Sequence, residues 1–365
     1  MAEEEERDVR GTDGDGGGLL AAAGVLFLDG SGRLLVVRLP YDRKHPIAIP
    51  GGGWEPADGS PRATAVREIR EELGVTPELG PLACVDWSLD PVRPPIAALL
   101  YWAAPLRPEQ LAALRPQAEE VGWWGFLPAD RAASALPPKL SRRVTACLTA
   151  PRTAAPLELE DSLPAGHSLA HLPRHSPAPP YTRTAGLGLP PGGGPPERRP
   201  PLEHSAYLAG LPRIRAEVRL VCTDPDGRVL LLPARAARAG WTLPGGVVRA
   251  DRELPRETAR RELAALGAER SPGRLLGLDW RPADDGPARL VYVFDGGAVP
   301  EVRPGPADPR LCAPAEVHTL LLEPDQATLH ACLTARAAGG APVELVRGVR
   351  PEGAGPSTRG ESGTT

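Results

Sequence analysis

The sequence predicts an α/β (α+β) protein built from two related domains. Apolar runs joined by short turns indicate strands, as in FLDGSGRLLVVRL, and a glycine-rich loop leads into a charged helix at AVREIREELGV. The same patterns return in the second half of the chain. Pro50 and Pro244 stand 194 positions apart, and so do Glu68 and Glu262. An offset that is kept through loop and helix indicates an internal duplication.

Composition divides the chain further. The N-terminal residues are acidic and glycine-rich with little to bury, which is typical of disorder. The middle of the chain holds 13 prolines in 53 residues; because proline removes backbone donors and disfavours helix, we expect a stiff linker there. The predicted order is a disordered acidic tail, a first domain, a linker, a second domain and a disordered tail: 1–18, 19–150, 151–203, 204–345 and 346–365.

Bulk properties exclude several classes of protein. The net charge of −4 gives no basic field for nucleic acid. The start MAEEEERDVR is not that of a secretory signal, and the apolar run LLAAAGVLFL is half a membrane crossing, so we expect no membrane segment. Five scattered cysteines without a C-x-x-C pair argue against disulfides or zinc and fit the cytoplasm.

Three acids share one face of the charged helix. Glu68, Glu71 and Glu72 stand at i, i+3 and i+4, and such like-charged neighbours cost about 0.2–0.5 kcal/mol per pair on an exposed helix. A divalent cation would offset that repulsion, since Mg²⁺ takes oxygen ligands. A carbonyl of the glycine loop, at Gly52, is predicted to complete the metal shell. The alternative is a solvated helix whose glutamates pair with neighbouring arginines.

Loop and helix together resemble a known motif. GGWEPADGSPRATAVREIREELGV resembles the Nudix box, G-x5-E-x7-R-E-U-x-E-E-x-G-U with U aliphatic, and the resemblance covers about residues 19–150. The second half, from Arg67 to Val75, fits without a mismatch. The first half departs from the pattern, because the loop is one residue longer and Asp58 stands in for the outer glutamate. We do not expect this replacement to abolish activity.

The resemblance implies two Nudix folds, each a mixed β-sheet between helices, and hydrolysis of a nucleoside diphosphate linked to another group. In that chemistry Glu68, Glu71 and Glu72 bind Mg²⁺ or Mn²⁺, and water attacks a phosphorus. The resemblance leaves the general base open between Glu68 and a later acid. Glu119 and Glu120 occupy that later place and we favour Glu120, the alternative being an exposed start of a strand. Arg67 is expected to orient a carboxylate.

The substrate is expected to be a small nucleotide. Arg43 and the glycines Gly51 and Gly53 are predicted to contact its phosphates, although surface solubility explains the basic residue nearly as well. The tryptophans, among them Trp54, are candidates for stacking on a base or for the core. Nucleoside triphosphates, nucleotide sugars, ADP-ribose and dinucleoside polyphosphates all remain open.

The second copy lacks part of the acid set. Ala265 and Leu266 replace Glu71 and Glu72, and one helical carboxylate cannot hold a metal cluster. We therefore predict catalysis in the first domain only. Possible roles of the second domain are dimerisation, substrate contact, ligand sensing and stability. The protein could therefore form a homodimer. A nucleotide-binding sensor with little turnover is the alternative function.

Overall fold

The computed structural model describes residues 18–40, 42, 46–89, 94–150, 155–165, 210–234, 240–250, 253–283, 286–299 and 309–354. Within these ranges, the first half of the chain contributes nine strands and four α-helices. The strands are β1 Leu20–Leu26, β2 Leu34–Arg38, β3 Ile47–Ala48, β4 Gly51–Gly53, β5 Leu79–Ser88, β6 Ile96–Ala103, β7 Trp123–Leu127, β8 Leu157–Glu160 and β9 Leu163–Pro164. The helices are α1 Pro61–Leu73, α2 Pro108–Ala113, α3 Ala129–Ala135 and α4 Pro138–Thr149.

The first domain is built on a mixed sheet. Its strands follow the order β4-β1-β6-β5-β8-β9, and β2 forms a smaller sheet with β3 and β7. Strand β1 runs parallel to β6 and antiparallel to β4. This pairing brings the glycine loop, which forms β4, to the edge of the sheet beside β1.

The second half repeats this arrangement. Its strands are β10 Arg215–Thr223, β11 Val229–Pro233, β12 Trp241–Thr242, β13 Gly245–Val247, β14 Leu275–Arg281, β15 Arg289–Ala298, β16 Arg310–Cys312 and β17 Val343–Val346. Its helices are α5 Pro255–Ala265, α6 Pro314–Val317 and α7 Asp325–Ala337. Strand β10 is parallel to β15 and antiparallel to β13, as β1 is to β6 and β4.

Helices cover both faces of the first sheet. Helix α1 packs on β1 and β4 through Ala65, Ile69 and Leu73, which belong to one apolar core. Helix α4 packs on β5 and β8, and its Val144 and Cys147 lie in a separate core on the other face. The predicted fold class, a mixed sheet between helices occurring twice, is confirmed.

Two short segments differ from the organisation that composition predicted. Strands β8 and β9 lie within the expected linker, 151–203, and β8 pairs in parallel with β5. Residues 347–354, which were expected to belong to the disordered tail, have a defined structure after β17. The turn after β8 and the turn after β17 are each held by a buried aspartate. Asp86 accepts from the N–H and hydroxyl of Ser162, and Asp279 accepts from the Gly348 N–H. These contacts are long-range and leave no signal in local composition.

The two domains share one apolar core. It contains α1 residues such as Ile69 together with α5 residues such as Leu263. Leu19 and Ile214 exchange both backbone hydrogen bonds across the junction, at 3.1 and 2.9 Å. Trp54 lies edge-on to Trp280 with ring centroids 5.1 Å apart. Trp54 is therefore part of this shared core, in line with the second of its two predicted roles.

The remaining bulk expectations concern cysteines and membranes. All five cysteines are free and buried. Within the described ranges, no helix has the length and apolar character needed to cross a bilayer.

Candidate metal and hydrolysis site

Helix α1 begins and ends at residues suited to those positions. The Ser60 hydroxyl accepts the Ala63 N–H at 3.2 Å, and Pro61 opens the helix where its missing N–H costs nothing. Gly74, at φ 75°, ends it and donates its N–H to the Arg70 carbonyl. The helix is thereby fixed in length, and its acidic face lies against β4.

The glycines of β4 touch the acids of α1. The Gly51 N–H donates to Oε2 of Glu72 at 2.9 Å. At φ 138°, Gly51 adopts a conformation that other residues avoid, and a Cβ there would stand 2.2 Å from the Ala23 carbonyl oxygen. A Cβ on Gly52 would stand 2.4 Å from Oε1 of Glu68. Gly51 is required by its backbone conformation and by the neighbouring strand, whereas a side chain at Gly52 would displace the Glu68 carboxylate.

Arg67 connects the loop to the helix. Its Nε donates to Asp58 at 2.7 Å, its Nη1 to Glu71 at 2.7 Å and its Nη2 to the Gly53 carbonyl at 2.9 Å. The same Nη2 lies 3.0 Å from Glu68. The hydrogen bond with Asp58 raises the pKa of Arg67, so the guanidinium stays charged. These contacts place Arg67 against two carboxylates of α1, and its role in orienting them stays a prediction.

Asp58 occupies the place of the outer acid despite the longer loop. It also accepts the Thr64 hydroxyl at 2.8 Å. In the second domain Glu253 holds Arg261 at 2.9 Å, eight positions away, whereas Asp58 is nine positions from Arg67. The extra residue therefore lies between Asp58 and α1. Gly59 takes a φ of 71° there, which turns the chain into the helix.

The loop after α2 brings Glu120 to the same place. Its backbone docks on the end of α1, where Arg115 N–H donates to the Leu73 carbonyl at 2.9 Å and Gln117 N–H to the Glu72 carbonyl at 3.1 Å. Glu120 is half-buried, whereas Glu119 is exposed.

Electrostatics show that these acids crowd one another. Burial raises the pKa of Glu68 to about 7, and the charges of Glu71 and Glu120 add to the rise against the effect of Arg67. Burial raises the pKa of Glu72 to about 8, again with contributions from Glu68, Glu120 and Glu71. Glu68 and Glu72 thus lie within electrostatic reach of Glu71 and Glu120, and a cation placed beside them would favour the ionised form of these carboxylates.

The acids fit a hard divalent cation by donor type, with one rearrangement. Among the described residues, no three His, Cys, Asp or Glu side chains already surround a common point. Glu71 is exposed and turned toward Arg67, while Glu68 and Glu72 lie buried beside the glycine loop. Because Glu71 is exposed, a ligand set that includes it would require its side chain to leave Arg67.

A cavity of about 130 Å³ opens beside the loop glycines. Its floor consists of small side chains from β1 and β6, among them Ala22, Gly24 and Ala98, and Arg143 of α4 lies at its wall. Arg143 donates to the buried Asp86 at 2.7 Å. Sequence reasoning did not identify these residues, because α4 meets the sheet only in the folded chain. The predicted phosphate ligand Arg43 lies outside the described residues.

The second domain lacks two of the helix acids and the small residues of the cavity floor. Arg261 forms an ion pair with Glu262, the one acid left on that face of α5. Strand register places Glu217 at the position of Ala22, and Arg219 at that of Gly24, because they pair with the corresponding glycine strands in the same way. Glu217 and Arg219 form an ion pair at 2.7 Å where the first domain has small residues.

Comparison with known proteins gives a family match and several relatives. The NUDIX domain model matches residues 18–145 and 213–339. The mitochondrial coenzyme A diphosphatase NUDT8 of Homo sapiens is 38% identical over 85 residues, which are 23% of this chain and 35% of that protein. The match thus spans about a third of the length of this curated relative.

Solved structures also match. The MutT protein from Methanosarcina mazei Go1 is 17% identical and has a TM-score of 0.31, with 36% of this chain and 93% of that chain covered. The E. coli ORF135 protein is 26% identical with a TM-score of 0.29, covering 35% of this chain and 94% of its own.

Proposed function

Since this chain belongs to the Nudix family, with both of its domains matching the family model, we propose that it is a metal-dependent pyrophosphohydrolase. Its substrate is a small molecule with a nucleoside diphosphate linked to another group, not a nucleic acid. The observation that carries the proposal is the placement of the buried Glu68 and Glu72 against the glycine loop, within electrostatic reach of Glu71 and Glu120. Catalysis takes place in the first domain only.

The proposal gives each residue a role. Glu68, Glu71 and Glu72, with the Gly52 carbonyl, hold Mg²⁺ or Mn²⁺, which when bound neutralises charge on the phosphate oxygens and lowers the pKa of water. Arg67 keeps the Glu68 carboxylate facing the loop. Glu120 accepts the proton of the attacking water at its carboxylate, as general base.

The cavity beside β4 accommodates the part of the substrate next to the diphosphate. Its small apolar floor suits a flat or extended group, and Gly51 and Gly52 line it without side chains. The limited match to a coenzyme A diphosphatase adds coenzyme A to the substrates worth testing. We expect the protein to act in the cytoplasm, where its five free thiols persist.

The test is a hydrolysis screen with the purified full chain and Mg²⁺. The panel contains nucleoside triphosphates, nucleotide sugars, ADP-ribose, dinucleoside polyphosphates and coenzyme A. The double change Glu71→Gln and Glu72→Gln should lower kcat/KM by about 10²–10³-fold, whereas Glu262→Gln in the second domain should leave it unchanged. Tight nucleotide binding without turnover would instead favour a sensor, and equal activity of the double variant would refute the proposal.

A further inference from the structure

Two arginines cross the interface between the domains in a reciprocal way. Arg62, the second residue of α1, donates its Nε and Nη2 to Glu344 at 3.1 and 2.5 Å. Arg256, the second residue of α5, donates the same two atoms to Glu158 at 2.8 and 2.6 Å. The arginines are 194 positions apart, which is the offset of the duplication. Each helix is therefore fastened at its start to a strand of the other domain.

Both ion pairs are shielded from solvent and held on an aromatic ring. The side chains of Arg62 and Glu344 are 10% and 9% exposed, and the Arg62 guanidinium lies 4.8 Å from the ring centroid of Tyr101. Arg256 lies 5.1 Å from the Phe294 ring in the same manner. A two-pronged, charge-assisted contact of this kind fixes both the position and the angle of the guanidinium.

The two helices differ in what they carry. Helix α1 bears the full set of acids, and Glu68 follows Arg62 by six residues, or about 9 Å along the axis. Arg62 also lies on the buried stripe of α1 that contains Ala65 and Ile69. Since a helix is stiff over three turns, a shift at Arg62 is carried to Glu68 and Glu72. The corresponding shift in α5 moves no such set of acids.

We infer that Glu344 is a positioning residue for the metal site of the first domain. Through the contact of Glu344 with Arg62, the second domain fixes the position of α1 against the glycine loop. This gives the domain that lacks the acids a role in the reaction of the other. The inference rests on the proposed function and specifies how the site is held.

The matched pair of interface acids provides the test. Glu344→Gln and Glu158→Gln each remove one interdomain ion pair from the full chain, but only the first loosens α1. Mn²⁺ binding without substrate, followed by electron paramagnetic resonance, should weaken about tenfold in Glu344→Gln and less than twofold in Glu158→Gln. Tm should fall by similar amounts in both, and the Mg²⁺ concentration for half-maximal activity should rise only in Glu344→Gln.

A conservative variant completes the experiment. Glu344→Asp keeps the carboxylate on a side chain shorter by one methylene group, so it should recover part of the Mn²⁺ affinity, and it serves as the test variant if Glu344→Gln does not fold. Equal Mn²⁺ shifts in the Glu344 and Glu158 variants, or none in either, would overturn the inference. Failure of the proposed function is distinct, because wild-type protein would then neither bind Mn²⁺ through Glu71 and Glu72 nor hydrolyse any member of the panel.

Discussion

Glu68 lies so close to Gly52 that a Cβ on the glycine would stand 2.4 Å from the carboxylate oxygen. The second domain repeats this relationship between Gly246 and Glu262, also at 2.4 Å. Backbone and carboxylate therefore meet in the same way in both copies, although only one copy has the remaining acids. The contact is a feature of the fold, and the neighbouring acids of the first domain add the proposed metal site to it.

Gly52→Ala is expected to disrupt the proposed site. The methyl group would displace Glu68, and Mn²⁺ affinity should fall about 10–100-fold with a parallel loss of hydrolysis. Gly246→Ala creates the same clash with Glu262, so it should lower Tm to a similar extent while metal binding and kcat/KM stay at wild-type values. Titration calorimetry with Mn²⁺ and a hydrolysis assay check both variants. Normal metal affinity in Gly52→Ala would remove Glu68 from the ligand set.

Metal-free protein should lose stability as pH rises. Burial raises the pKa of Glu68 to about 7 and that of Glu72 to about 8, from ordinary values of 4.5. Between the ordinary pKa of 4.5 and the raised values, the folded state binds more protons than the unfolded state. The free energy of unfolding therefore decreases with increasing pH in this range. When a chelator keeps the protein free of metal, Tm should fall by about 5 °C or more between about pH 5.5 and about pH 8.

Two controls belong to the pH experiment. Glu72→Gln removes one of the two titrating groups and should reduce the slope of Tm against pH. Saturating Mg²⁺ should also flatten the curve, because the cation replaces the protons that the folded state takes up. A metal-free Tm that rises over this pH range would contradict the proposed crowding of the carboxylates.

Glu120→Gln should lower kcat more than it raises KM. A general base contributes about 10²–10⁴-fold to the rate, and the amide cannot accept the proton of the attacking water. Glu119→Gln is the matched control, since Glu119 is the exposed neighbour in the same turn. Steady-state kinetics across pH distinguish the two. If Glu120→Gln keeps its kcat, the role of base passes to Glu68, the alternative that the sequence left open.

Filling the cavity should block substrate without affecting metal. Ala22→Leu places a larger side chain on the cavity floor and should raise KM about tenfold or more, while Mn²⁺ affinity stays unchanged. Glu217→Leu is the control at the same position of the second domain, and it should lower Tm by leaving Arg219 unpaired without changing KM. A normal KM in Ala22→Leu would place the substrate elsewhere.

The acid-bearing helix and its loop could be predicted from local sequence. The spacing of Glu68, Glu71 and Glu72 puts them on one face of any α-helix, and the glycines before it mark a close backbone approach. The constant offset between the two halves likewise required no structure. These features depend on residues near one another in the chain, so their consequences follow from helix and turn geometry.

Contacts between distant residues were decided only by the tertiary structure. Arg62 and Glu344 lie 282 positions apart, and nothing in either segment indicates their partner. The same holds for the turns at Ser162 and Gly348. They lie in segments that composition assigned to linker and tail, and distant aspartates, Asp86 and Asp279, fix them. The sequence by itself therefore determined the repeated fold, its family and the acids of one copy. Only folding, which buries one domain against the other, determined how that site is enclosed and held.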